Sequence, residues 1–209
     1  MSLSTLDLAQ TVPASSVSTA RRVVILLVAL GVALSGLTVL NTSSADASTP
    51  PYPSYQPQTR CSPSAKAGTV FLANWLQRRY GGSGSLGISR PCGSGGASEH
   101  KEGRAFDWGL DATRDRDRGY ARAFRHYLFN EGRSGLNHAR ARRMGVMYLI
   151  WNDRIYSSSY RYRSRPYTHY VCSSIRGCSK TLRHRDHMHI SLTRGGGAGN
   201  TLWFRHHMR

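Results

Sequence analysis

An apolar run divides this sequence. From Val23 to Leu40 the residues are hydrophobic apart from glycines, Ser35 and Thr38. Arg21 and Arg22 stand before the run, and a small-residue stretch containing Ala45 and Ala47 follows it. A positive region, an apolar region and an Ala-x-Ala site in that order read as a secretory signal. Residues 1–47 are therefore expected to form a signal peptide cleaved after Ala47. The run is also close to the shortest length that spans a bilayer, so an uncleaved membrane anchor is the alternative. Either way, residues 48–209 lie outside the cytoplasm, secreted or held at the cell surface, and the folded domain is built from them.

The cysteines agree. Cys61, Cys92, Cys172 and Cys178 all follow the leader, and an even number of cysteines in an oxidising compartment points to disulfides. Four cysteines allow three pairings, of which Cys61–Cys92 and Cys172–Cys178 close one local loop at each end of the domain. No pair has C-x-x-C spacing, which argues against a cysteine zinc site.

Charge narrows the partners. The chain carries 29 Lys+Arg against 11 Asp+Glu, a formal net charge of +18, and Arg21 and Arg22 are balanced by Asp7 and Asp46 within the leader. The whole excess thus belongs to residues 48–209. Such a surface favours anionic partners, whether nucleic acid, lipid headgroups or an acidic polymer. Four Trp, eleven Tyr and five Phe supply a core and exclude a wholly disordered basic chain.

Residues 48–60 are Pro- and Tyr-rich and read as an extended linker. Residues 61–209 read as one domain. A helix is expected from Ser62 or Ser64 to about Tyr80, stopped by Gly81 and Gly82, followed by a Gly/Ser loop over 81–98. Strand alternation begins at Ala105, and a helix starting at Asp115 or Asp117 and stopping near Gly132 places Tyr120, Phe124, Tyr127 and Leu128 on one face. A short helix covers Asn137 to Met144. Val146 to Trp151 reads as a buried strand that turns at Asn152-Asp153 toward Ile155 and Tyr156. Residues 157–183 form a long loop, His187 to Leu192 a last strand, and the tail from Gly195 is glycine-rich. This order describes an α+β domain, a small antiparallel sheet flanked by helices.

Two segments carry chemistry. In His184-Arg-Asp186-His187-Met-His189-Ile-Ser191, strand alternation puts His187, His189 and Ser191 on one face and Met188, Ile190 and Leu192 on the other. Asp107 lies within the apolar stretch Ala105-Phe106-Asp107-Trp108, where a carboxylate needs a partner such as a cation. His100 precedes it across Gly103. Imidazole, carboxylate and imidazole with an open fourth position suit a hydrolytic Zn2+ site. Asp186, His187 and His184 are candidates to accept the proton that such a site displaces.

Ser98, His100, Gly103, Ala105 and Asp107 together spell S-x-H-x-x-G-x-A-x-D, and His184, His187 and His189 spell H-x-x-H-x-H. The chain resembles the zinc peptidases of the Hedgehog/DD-peptidase fold, which include D-Ala-D-Ala peptidases and LAS-type murein endopeptidases. The resemblance implies zinc held by His100, Asp107 and His189, with His187 near the water. It places Asp186 where some branches carry a glutamate base. It also implies an upstream arginine for the oxyanion, for which Arg90 and Arg60 are candidates, and Arg154 could serve in its place.

The expected function is an exported zinc peptidase that cleaves stem peptides of peptidoglycan. The expected partner is peptidoglycan or an anionic cell-wall polymer. Nucleic acid is disfavoured, the membrane is met only through an uncleaved N-terminal segment, and the protein is expected to be monomeric. Two alternatives remain. One is a non-catalytic zinc-binding wall module. The other is a secreted metal-dependent nuclease, which the basic charge fits but which leaves the first motif unused.

Overall fold

The computed structural model describes residues 49–82, 84–130 and 137–209. The expected signal peptide and the expected helix stop at Gly132 lie outside these residues. In chain order the elements are α1 (Ala67–Tyr80), β1 (Ser85–Gly87), a 3-10 turn (Glu99–Glu102), β2 (Ala105–Gly109), α2 (Asp115–Phe129), α3 (Ala139–Met144), β3 (Val146–Trp151) and β4 (Arg154–Ser157). A second 3-10 turn (Ser158–Tyr160), β5 (Ser164–Pro166), β6 (His187–Leu192), α4 (Arg194–Ala198) and α5 (Leu202–His207) complete the chain. The fold is α+β. Among the described residues no helix is long and apolar enough to cross a membrane.

The strands form one sheet in the order β1-β2-β6-β3-β4-β5, and every neighbouring pair is antiparallel. The last strand in the chain is thus a central strand of the sheet. Alternation explains why it fits there. Met188, Ile190 and Leu192 are fully buried on the core face, and Phe106 and Trp108 of β2 join them. Leu149 of β3 lies opposite Ile190 in the register. The helices cover this face through Leu72 and Leu76 of α1, Phe124 and Leu128 of α2 and Phe204 of α5. The other face of β2 and β6 carries Asp107, His187, His189 and Ser191.

β3 and β6 begin and end where the residue pattern predicts. The turn at Asn152 and Asp153 has φ of 48° and 62°, a left-handed pair that the twist of a two-residue hairpin favours. The first helix differs from expectation. It begins at Ala67, because Ser62 N donates to Lys101 O (2.7 Å) and Lys66 N donates to Gly103 O (3.0 Å). These bonds hold residues 62–66 extended against the 3-10 turn, so neither Ser62 nor Ser64 caps a helix. The helix before β3 starts after His138 rather than at Asn137.

Parts of both expected loops join the sheet as its edge strands, β1 and β5. The glycine-rich tail is helical as well. A Cβ on Gly68 of α1 would lie 2.2 Å from the carbonyl oxygen of Gly196 in α4, so glycine here permits two helix backbones to meet.

The expected linker is extended but docked. Residues 49–60 pack as part of the domain, as an N-terminal strap. Arg104, 1% exposed, organises the contact. Its guanidinium donates to Glu102 Oε2 (2.6 Å), to Leu192 O at the end of β6 (2.7 Å) and to Gln56 O of the strap. Glu102 in turn accepts from Thr59 N (3.1 Å). The disulfides Cys61–Cys92 and Cys172–Cys178 are both formed, and the first ties the end of the strap to the loop before the 3-10 turn.

Burial alone would raise the Glu102 carboxyl, but Thr59, Arg104 and Arg194 outweigh it and lower the carboxyl from the ordinary 4.5 to about 2. Replacing Glu102 by Gln is expected to cost about 1–3 kcal/mol at pH 7, measured by urea unfolding. A depressed carboxylate stabilises above its unfolded value and loses that contribution as pH falls through its folded value. The gap between wild type and Glu102→Gln should therefore close between pH 4.5 and about 2, and a gap independent of pH would contradict this role.

Candidate metal centre

Each part of the site is placed by a local feature of the sequence. Ser98 caps the 3-10 turn, its Oγ accepting from His100 N at 3.3 Å. Gly103 ends that turn with φ of 63°, and a Cβ there would meet Ser64 O at 2.0 Å. The chain can therefore reverse from His100 into β2 only through glycine. Ala105, fully buried, starts the strand beneath the site. Asp107 follows on the face opposite Phe106 and Trp108, and the register sets it directly across from His189 of β6.

Three side chains converge there. His100 Nε2 lies 3.2 Å from Asp107 Oδ2 and 3.2 Å from His189 Nδ1, and His189 Nδ1 lies 2.9 Å from Asp107 Oδ1. One ligand atom from each of His100, Asp107 and His189 falls within 4.8 Å of the others. His100 is 3% exposed and His189 7%. Burial by itself would raise the Asp107 carboxyl, yet the two imidazoles beside it hold it well below the ordinary carboxylate range. Burial lowers His189 against the opposing pull of Asp107, which favours the neutral ring that a metal requires. Two imidazole nitrogens and a carboxylate oxygen are a donor set that fits a divalent transition metal.

The second layer is ordered. His100 Nδ1 lies 2.9 Å from the Ile88 carbonyl. His189 Nε2 lies 2.9 Å from Ser191 Oγ, and Ser191 Oγ donates to Glu99 Oε2 at 3.4 Å. The Tyr148 hydroxyl donates to the same Glu99 oxygen at 2.6 Å. The Tyr148 ring stacks on His189 with centroids 5.5 Å apart and planes at 19°. Burial and Glu99 push the Tyr148 phenol well above its usual value, so it stays a donor. Alternation along β6 had placed Ser191 on the imidazole face. Glu99 and Tyr148 come from the 3-10 turn and β3, and no spacing in the sequence links them to His189.

Beside the three converging residues stands an acid–imidazole pair. Asp186 Oδ1 lies 2.7 Å from His187 Nδ1, and Asp186 Oδ2 accepts from Thr181 Oγ1 at 2.6 Å. His187 Nε2 is 3.7 Å from Asp107 Oδ1, so the ring presents its far nitrogen to the centre. Burial works to raise Asp186, but Thr181 and His187 hold it below its usual value. His184, at φ 50°, packs its ring 4.7 Å from that of His187 and 5.7 Å from that of His189. Its Nδ1 is buried without a hydrogen-bond partner among the described residues. Burial, then His189 and His187, lower it to about 2, so it is neutral at ordinary pH.

The candidate arginines are placed differently. Arg90 is exposed, and its amide N donates to His100 O at 3.3 Å, which sets it at the rim beside the first ligand segment. Arg154 uses Nε and Nη2 on Ser164 Oγ (2.9 Å) and Ser164 O (3.1 Å), clamping β4 to β5. Arg60 lines a separate cavity with Ser62, Lys66 and Arg194.

A family model described as VldE, C-terminal domain, matches residues 61–173. No curated protein and no solved structure gives a significant match to the chain. The matched stretch includes Ser98, His100 and Asp107 but ends before Asp186, His187 and His189.

If these three side chains bind a metal, zinc at a hundredfold excess over Kd should stabilise the protein by about 2.7 kcal/mol. The effect should vanish on chelation and in Asp107→Ala, as followed by thermal melting. A melt indifferent to zinc would show that the three side chains do not bind it.

Proposed function

The chain belongs to the family described as VldE, C-terminal domain, and within it we propose a zinc-dependent peptidase of the Hedgehog/DD-peptidase type, exported to act on the stem peptides of peptidoglycan. The observation that carries this reading is the meeting of His100, Asp107 and His189 next to the Asp186–His187 pair. The motif order S-x-H-x-x-G-x-A-x-D then H-x-x-H-x-H supports it. Two disulfides fit an oxidising, extracellular environment.

Zinc, when bound by His100, Asp107 and His189, supplies Lewis acidity to a carbonyl and to water. The chain supplies proton handling. Asp186 accepts the Nδ1–H of His187, which leaves Nε2 as a base facing the site. In hydrolysis the water oxygen bonds to the peptide carbon and the C–N bond breaks. The proton lost by water passes through His187 Nε2 to the departing amine. Asp186 thus acts by orienting His187, which relieves the shorter acid of reaching the water itself. Neutral His184 packs its ring beside those of His187 and His189. Arg90, exposed at the rim, is assigned to the substrate carboxylate or the developing oxyanion. The +18 charge retains the enzyme on an anionic wall.

Purified protein is expected to release fragments from peptidoglycan, detected by mass spectrometry, and to stop when chelated. His187→Ala should lower kcat by roughly 10²–10⁴-fold while keeping its zinc. Wall binding with zinc but without cleavage would identify the non-catalytic module. Metal-dependent cleavage of DNA in place of peptide would identify the nuclease.

A further inference from the structure

We infer that Ser191 and Glu99 are positioning residues that dictate which nitrogen His189 offers to the centre. This rests on the reading of His100, Asp107 and His189 as metal ligands. One chain of contacts carries it. Glu99 is buried, at 4% exposure, and a carboxylate only accepts. Its Oε2 already receives the Tyr148 hydroxyl at 2.6 Å. The Ser191 hydroxyl has one proton, and its 3.4 Å contact with the same oxygen is a hydrogen bond only if that proton points to Glu99. Ser191 Oγ then has lone pairs to offer His189 Nε2, 2.9 Å away. His189 is thus held through Nε2, which turns Nδ1 toward Asp107 and His100.

His100 is held in the same way: its Nδ1 faces the Ile88 carbonyl at 2.9 Å, which turns Nε2 inward. The inner nitrogens of both rings and the Asp107 carboxylate thus converge within 4.8 Å. The outer residues thereby aim the donor atoms at one centre. Tyr148 contributes twice, by donating to Glu99 and by stacking on the His189 ring. Metal-ligating histidines are in general held this way through their second nitrogen, and loss of the partner typically costs about 10–100-fold in metal affinity.

The test is a zinc titration by competition with a chromogenic chelator on wild type, Ser191→Ala, Glu99→Ala and the double variant. Cobalt absorption serves as a second readout of ligand geometry. Ser191→Ala removes the acceptor for Nε2–H, and Glu99→Ala frees the serine proton to turn onto His189. Each is expected to raise the zinc Kd by roughly 10–100-fold and to shift the cobalt bands. The double variant should be no worse than the weaker single, because both act through one nitrogen. Melts of the metal-free variants check the fold, and a packing role alone would move those melts without moving Kd. A Kd within twofold of wild type in Ser191→Ala, or additive losses in the double variant, would overturn the relay and leave the metal reading standing. Wild-type protein that takes up no zinc would overturn the metal reading and the relay together.

Discussion

The site depends on one cross-strand pair. Asp107 and His189 face each other because β6 lies beside β2 in a register that also sets Phe106 opposite Ile190 and Trp108 opposite Met188. The apolar pairs bury the core and so fix the register, since a slip of one residue would turn every side chain to the wrong face. Hydrophobic packing on one side of the sheet thus holds two polar groups together on the other. Neither imidazole nor carboxylate has to contribute net stability for the cluster to persist. This suits a buried group whose desolvation is costly when it is unpaired.

Arg104 extends that dependence to the N-terminal strap. It stands between the 3-10 turn that carries His100 and the strand that carries Asp107, and it bonds to the end of β6 and to Gln56. Glu102 receives both Arg104 and Thr59. One buried ion pair therefore joins the strap, the His100 segment and β6. The charge excess of the chain is for the most part a surface matter, but this arginine is structural, and its guanidinium geometry serves three acceptors at once.

How much was legible in the sequence follows from where each signal lies. β3 and β6 combine apolar runs with strict alternation, and their limits could be read directly. The converging His100, Asp107 and His189 were legible because a carboxylate in Ala105-Phe106-Asp107-Trp108 has no apolar explanation. β1 and β5 were not, since they are short, largely exposed edge strands with one neighbour each and no buried face to impose a period. α4 contradicts local propensity, with three glycines in five residues, and the close approach to Gly68 overrides it. Glu99 and Tyr148 stand 49 positions apart and meet only through the sheet. The 2.7 Å contact that pairs Asp186 with His187, among the three candidate proton acceptors, likewise became visible only in the structure.

The position of β6 has a consequence for how the molecule comes together. The strand at the centre of the sheet is the last to be made, and Asp107 waits 82 residues for His189. Until then β2 and β3 have open edges on the sides that β6 will fill, and the two halves of the sheet have no shared ladder. Long-range closure of this kind is slow and leaves unpaired edges prone to association. A chain that ends before residue 187 keeps the entire stretch matched by the family model yet has neither a continuous sheet nor His189. The strand that completes the sheet is also the strand that completes the His-Asp-His cluster, so a half-folded chain cannot assemble it.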